Sequence, residues 1–266
     1  MLPRTYGPKT GRCNICGETG PLTDDHTPPK GCLKPTQVEI HHVLERMKVG
    51  ERDRRGRLSQ NGVKYRTLCA GCNSGLLGTE SDPELISFAN SIAHTLISDL
   101  ILPSVISLKQ KPQRLMRSVL GHITAQGIDR FGKGPIAAEV SEYLLDANRS
   151  LPRTFHVYCW VFPYKDFVLA RDCAFLDTTK EGPCLMWLLK YFPVAFLVAL
   201  EKPTEYSFPG TELSMWRNCK IDDEKIVRLD LTERVHRYWP ELPTSTSAII
   251  YGEDAITSFD YKRNAS

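Results

Sequence analysis

The chain has 266 residues, 41% of them hydrophobic and 24% charged, with a formal net charge of +3. That length fits one large domain or two smaller ones, and the composition excludes a disordered chain. The net charge is too small to mark a general polyanion binder, so the placement of charge matters more than its sum.

The N-terminal stretch MLPRTYGPKTGRC has no apolar run beside a cleavage site, so no signal peptide is expected and the chain reads as cytoplasmic. In that reducing compartment nine cysteines, an odd number, argue against a disulfide framework. Two pairs share one form: Cys13-Asn-Ile-Cys16 followed by Gly17, and Cys69-Ala-Gly-Cys72 followed by Asn73. Each C-x-x-C places two thiolates on one tight turn, and two such turns supply the four ligands of a tetrahedral zinc site. Residues 17–68 separate the pairs, far more than the ribbon spacing of ~15–20. Something must be inserted between the two turns. Cys32, Cys159, Cys173, Cys184 and Cys219 are scattered singly and read as buried thiols.

The insert opens with LTDDHTPPK, residues 22–30, where Asp24, Asp25 and His26 stand side by side before Pro28 and Pro29. A histidine titrates near neutrality and can take a proton from water, a task an isolated carboxylate does less well. The prolines fix φ and forbid a helix, so an extended path is expected after His26. Asp24 reads as a second carboxylate or a turn residue, and His41 and His42 as metal ligands or as exposed or core-edge side chains. From His41 to Arg66 there are eight Lys or Arg against three acids. That excess reads either as a solvated face or as a phosphate-contacting surface built by Arg52, Arg54, Arg55, Arg57 and Lys64. Val38, Val43, Leu44 and Met47 fall near helical spacing, which predicts a helix in the insert.

Gly75 and Gly78 weaken the start of any helix after Cys72, so the regular part is expected from about Asp82, as N-cap, with Pro83 at the first helical position. Glu80, Asp82 and Glu84 suit a helix start, and one of them could complete a metal shell. Leu85, Phe88, Ile92 and Leu96 give a core-facing stripe, with Pro103 marking the end. Residues 112–126 and 134–151 predict two more helices around a Gly-rich turn; His94 and His122, on the helical stretches, read as structural. From Pro152 onward, TFHVYCWVF, DFVLARDCAFL and VAFLVALE read as strands, the last one buried. IDDEKIVRLDL is a further strand candidate and ITSFDYKRN a weak ending. No apolar stretch reaches the ~20 residues of a spanning helix, so no membrane partner is expected.

The order of two cysteine pairs, Asp25-His26 between them and Asn73 directly after the last cysteine resembles the zinc-containing HNH endonucleases, the ββα-metal (His-Me finger) family, over residues 10–90. The resemblance implies an N-terminal treble-clef or ββα-metal zinc domain over residues 1–90. With the helices and strands read above, which suggest a helical and mostly antiparallel β-containing domain over residues 91–266, the chain is expected to be α+β. The resemblance also implies a structural Zn²⁺ at Cys13, Cys16, Cys69 and Cys72 and a catalytic Mg²⁺ or similar ion at Asp25 and Asn73. His26 would be the general base of an endonuclease acting on DNA, with RNA ranked second, in bacterial or phage defence. Leu22 and Thr23 would lie on the first strand and residues 64–68 on the returning one. Where the family has a bracing asparagine the chain has Lys64, and where it has a lysine after the last signature position the chain has Leu76. A second reading is therefore a non-catalytic zinc adaptor that binds nucleic acid or protein; a redox dithiol is a third. The C-terminal part carries no catalytic motif and could hold a protein partner or a second copy of the chain.

Overall fold

In the computed structural model, residues 4–32, 36–47, 56–98, 101–134 and 136–260 are described. Strands β1 (Thr10–Arg12) and β2 (Thr19–His26) pair antiparallel around the first cysteine turn. The insert supplies β3 (Val38–His42), the single-turn helix α1 (Val43–Met47) and β4 (Arg57–Ser59). Strand β5 (Lys64–Cys69) returns beside β2. A π-type helix over Gly71–Ser81 runs without a break into α2 (Asp82–Ser98). Strand β6 (Val105–Gln110) and helices α3 (Pro112–Thr124) and α4 (Ala137–Leu145) follow.

The C-terminal half is built on β7 (Phe155–Val161), β8 (Phe167–Asp177), β9 (Cys184–Tyr191) and β10 (Val194–Leu200), in Greek-key order, with β8, β9 and β10 joined as hairpins and β7 beside β10. Then come β11 (Thr211–Glu212), β12 (Lys225–Asp230), β13 (Ser247–Ile250) and β14 (Ile256–Asp260). The large sheet has the order β11-β7-β10-β9-β8-β14-β3-β4, with β13 paired to β8, while β6 and β12 form a separate ribbon. Every named strand pair is antiparallel. The chain is thus a mixed α/β protein with mostly antiparallel sheets.

Strand β10, VAFLVAL, is buried at every position because both faces of the sheet are covered. On one face lie α3 and the cysteine hairpin; Leu115, Met116, Val119, Leu120 and Ile123 are fully buried in a core that runs from Cys13 to Ile256. On the other face Tyr206, Phe208 and Val43 pack on Trp160, Phe175 and Leu188. Each such aliphatic or aromatic side chain stabilises the fold by about 1.5–3 kcal/mol on burial.

Several local expectations change. The insert is strand first, β3, with only a short helix after it. Helical winding starts at Gly71 despite Gly75 and Gly78, and Asp82 has helical φ −61° and ψ −34° instead of capping an end. The chain bends at Thr27 and Pro28 rather than running on extended. The weak ending proves to be β14, an interior strand between β8 and β3. Strands from both sides of residue 90, where the sequence suggested a domain boundary, pair directly: Val38–His42 against Ile256–Asp260. Among the described residues no helix is long and apolar enough to cross a membrane.

Candidate metal centre and active site

The two C-x-x-C turns meet. Cys16 Sγ and Cys69 Sγ lie 3.7 Å apart, and the ligand atoms of Cys13, Cys16, Cys69 and Cys72 all lie within 4.8 Å of one another. Sulfurs at about 2.3 Å from zinc stand about 3.8 Å from each other in a tetrahedron, so the cluster can hold such an ion. The Cys69 amide donates to Cys13 Sγ at 3.4 Å, the contact expected of a thiolate turn. A hydrogen bond from Cys72 draws the Cys13 thiol down to about 4, while that contact and burial raise Cys72. Four thiolates cannot coexist here without a cation. Gly17, at φ +77°, lets the first turn close under Phe131, where a Cβ would overlap the ring. Among the described residues this is the one grouping of three or more His, Cys, Asp or Glu with ligand spacing.

The cysteine clasp sits at one end of the β2–β5 hairpin and His26 at the other, opposite Lys64. Successive residues of a strand face opposite sides. Asp24 and His26 therefore point outward and Asp25 inward. Asp24 pairs with Arg66 at 2.9 Å. Asp25 is 2% exposed; its Oδ2 accepts from Thr27 Oγ1 at 3.2 Å and lies 3.1 Å from His122 Nδ1. The other ring nitrogen of His122 lies 2.9 Å from Asp82 Oδ1, which also accepts from Ser118 Oγ at 2.7 Å. The result is a buried Asp25–His122–Asp82 chain that ties the hairpin to α2 and α3. Burial alone would depress the His122 pKa, but the two carboxylates outweigh it and hold the imidazole well above its ordinary value, protonated.

Asn73 does not meet Asp25 at an open point. Its Nδ2 donates to Thr23 Oγ1 at 2.9 Å and to the Asp24 carbonyl at 3.2 Å, at the bulge between Thr23 and Asp24. It braces the hairpin, the work the family assigns to an asparagine where this chain has Lys64. Asp25 and Asn73 as placed do not form a site for a divalent ion.

His26 is half-buried and has no hydrogen-bond partner among the described residues. Partial burial, then the charges of Lys30 and Lys64, lower its pKa below the ordinary imidazole value, against the weaker pull of Asp25 and Asp24. A neutral, unengaged imidazole at neutral pH follows. It stands at the wall of a cavity of about 260 Å³ between the hairpin and the rim of the large sheet. Phe192, Lys165 and Phe259 from the far end of the chain line the same space.

Of the expected phosphate contacts, Arg57 donates to Thr5 Oγ1 at 2.5 Å and, with Lys64 and Arg66, lies within 6.0 Å of the half-exposed Tyr6 ring. Arg52, Arg54 and Arg55 lie outside the described residues. His41 is buried against Glu39 at 3.4 Å, and His42 contacts the Gly252 carbonyl at 3.2 Å, so neither joins the cysteines. Glu84 accepts from the Lys111 amide at 2.7 Å. Cys32, Cys159, Cys173 and Cys184 are buried thiols and Cys219 is partly exposed.

Sequence reasoning missed the partnership of His122 and Asp82 with Asp25, and missed Lys165 and Asp260 beside His26. The pairing of β3 with β14 creates that second neighbourhood, and no local pattern announces it. Compared with known proteins, the chain matches no family model, no curated protein and no solved structure.

Proposed function

We propose that the chain hydrolyses phosphodiester bonds of nucleic acid, DNA first, on a hairpin clasped by zinc at Cys13, Cys16, Cys69 and Cys72. The observation that carries the reading is His26: a neutral, hydrogen-bond-free imidazole at the end of the clasped hairpin, facing a cavity and flanked by Lys30 and Lys64. In this reading His26 Nδ1 or Nε2 accepts a proton from the attacking water. The two lysines draw the phosphate in and offset charge that builds on it. The zinc supplies no open position and acts as a staple. A divalent ion at Asp25 and Asn73, implied by the HNH resemblance, does not fit those side chains as they stand, so no step is assigned to it. A role in bacterial or phage defence rests on the resemblance alone.

The burial of Asp25 against His122 favours a second reading, a zinc-stabilised adaptor that binds nucleic acid without cutting it. One experiment separates the two. Zinc-loaded protein and a His26→Ala variant are incubated with plasmid and with single-stranded DNA and RNA, with and without Mg²⁺ or Mn²⁺. Hydrolysis that drops by about 10²–10⁴-fold in the variant is the expected result. No cleavage by either protein, or equal cleavage by both, removes His26 as base and leaves the adaptor.

A further inference from the structure

The cavity beside His26 is built by segments far apart in sequence: Lys30 after the hairpin, Asn61 before β5, Lys165 and Asp166 before β8, Phe192 between β9 and β10, and Phe259 and Asp260 on β14. Its charge is unevenly spent. Asp166 is bound by the Arg237 guanidinium, with Nη2 at 2.6 Å from Oδ1, and Asp260 Oδ1 accepts from Thr36 at 2.6 Å. Lys30 and Lys165 have no ion-pair partner among the described residues and both are exposed. The mouth is therefore cationic, and Phe192 gives the interior an aromatic wall; the Phe259 ring turns to the opposite face of β14, with its centroid 6.5 Å from that of His41. Between mouth and wall lie the exposed Asn61 and the second oxygen of Asp260, a donor and acceptors for a polar edge.

We infer that this cavity takes one unpaired nucleotide of the substrate, its base against Phe192 and its phosphate at Lys30 and Lys165 beside His26. The choice of a nucleotide rests on the phosphodiesterase reading only for which phosphate ester is cut; the adaptor reading would use the same pocket. The volume suits a single planar base with its sugar and excludes a base pair. A base inside a duplex is stacked and paired, so the strand bound here is single or its base is extruded. An aromatic wall accepts any base by stacking, while the amide of Asn61 and the Asp260 carboxylate meet its exocyclic groups.

The test reads binding, not cutting. Fluorescence anisotropy follows a short labelled oligonucleotide, single-stranded or as its blunt duplex, on the zinc-loaded full chain without added Mg²⁺ or Mn²⁺, with gels confirming that the label stays intact. The single strand is expected to bind about tenfold or more tighter than the duplex, in line with one stacked base. Phe192→Ala and Lys165→Glu should each weaken single-strand binding severalfold and leave duplex binding unchanged. Lys165 is exposed, so its variant reports on the pocket even if Phe192→Ala fails to fold. Equal affinity for the duplex, no binding of either form, or a Lys165→Glu protein that binds the single strand like the parent overturns the inference. A chain that binds in this pattern and never cuts keeps the pocket and loses the hydrolase.

Discussion

His122 shows how much one side chain can carry. It is 1% exposed, lies between two carboxylates, and joins residues 25 and 82 through its two ring nitrogens. Removing it would leave Asp25 and Asp82 buried and uncompensated, so His122→Ala should cost about 3–5 kcal/mol in denaturant unfolding. The pH dependence has a definite sign. The folded pKa of His122 is raised above the ordinary 6.5, so its contribution is complete below pH 6.5 and is lost as pH rises through the folded value. Asp82, lowered by His122 despite its own burial, contributes above its ordinary 3.8 and loses that contribution as pH falls through its folded value. The thermal midpoint should therefore decline on the alkaline side more steeply in the parent than in a His122→Gln protein. Parallel profiles would show that the imidazole is not charged in the fold. The sequence reads His122 as structural but could not supply its partners, because Asp25 lies nearly a hundred positions away.

At the scale of elements, the hairpin and the helix after it are held by sulfur at one end and by Asn73 along the side. Much of this was legible. The spacing of the cysteines, the apolar stripe of α2 and the unbroken apolar run of β10 follow from local pattern, whereas strands at Leu22–Thr23 and 64–68 were expected only from the HNH resemblance. The facing of Asp25 was not legible, because strand alternation alone gives two choices and a distant helix decides between them. Nor was the strand nature of β3, whose Val, Ile and His positions fit either period. If the clasp holds metal, the protein should carry one zinc per chain, and Cys72→Ser should lose it. A fall in thermal midpoint on the order of 10 °C is expected, since ~1 kcal/mol shifts a chain of this size by about 2–4 °C. Cys219→Ser, outside the cluster, should change neither the zinc content nor the midpoint.

Over the whole molecule, one apolar core and one sheet take residues from both ends of the chain. A fragment of residues 1–90 keeps all four cysteines but gives up His122, β8 and β14. It should show no cooperative thermal transition by circular dichroism even with zinc present. A sharp, zinc-dependent melt of that fragment would mean that the hairpin unit stands by itself and that its docking on the sheet is secondary.

The position of β14 between β8 and β3 also sets an order of events during synthesis. Until the ribosome has released that strand, the β3–β4 pair has nothing to dock on in the sheet, and the wall that Ser258 and Asp260 give to the space beside His26 does not exist. A nascent or prematurely terminated chain would expose two open strand edges while lacking its pocket, so such products should be sticky and unable to grip a nucleotide.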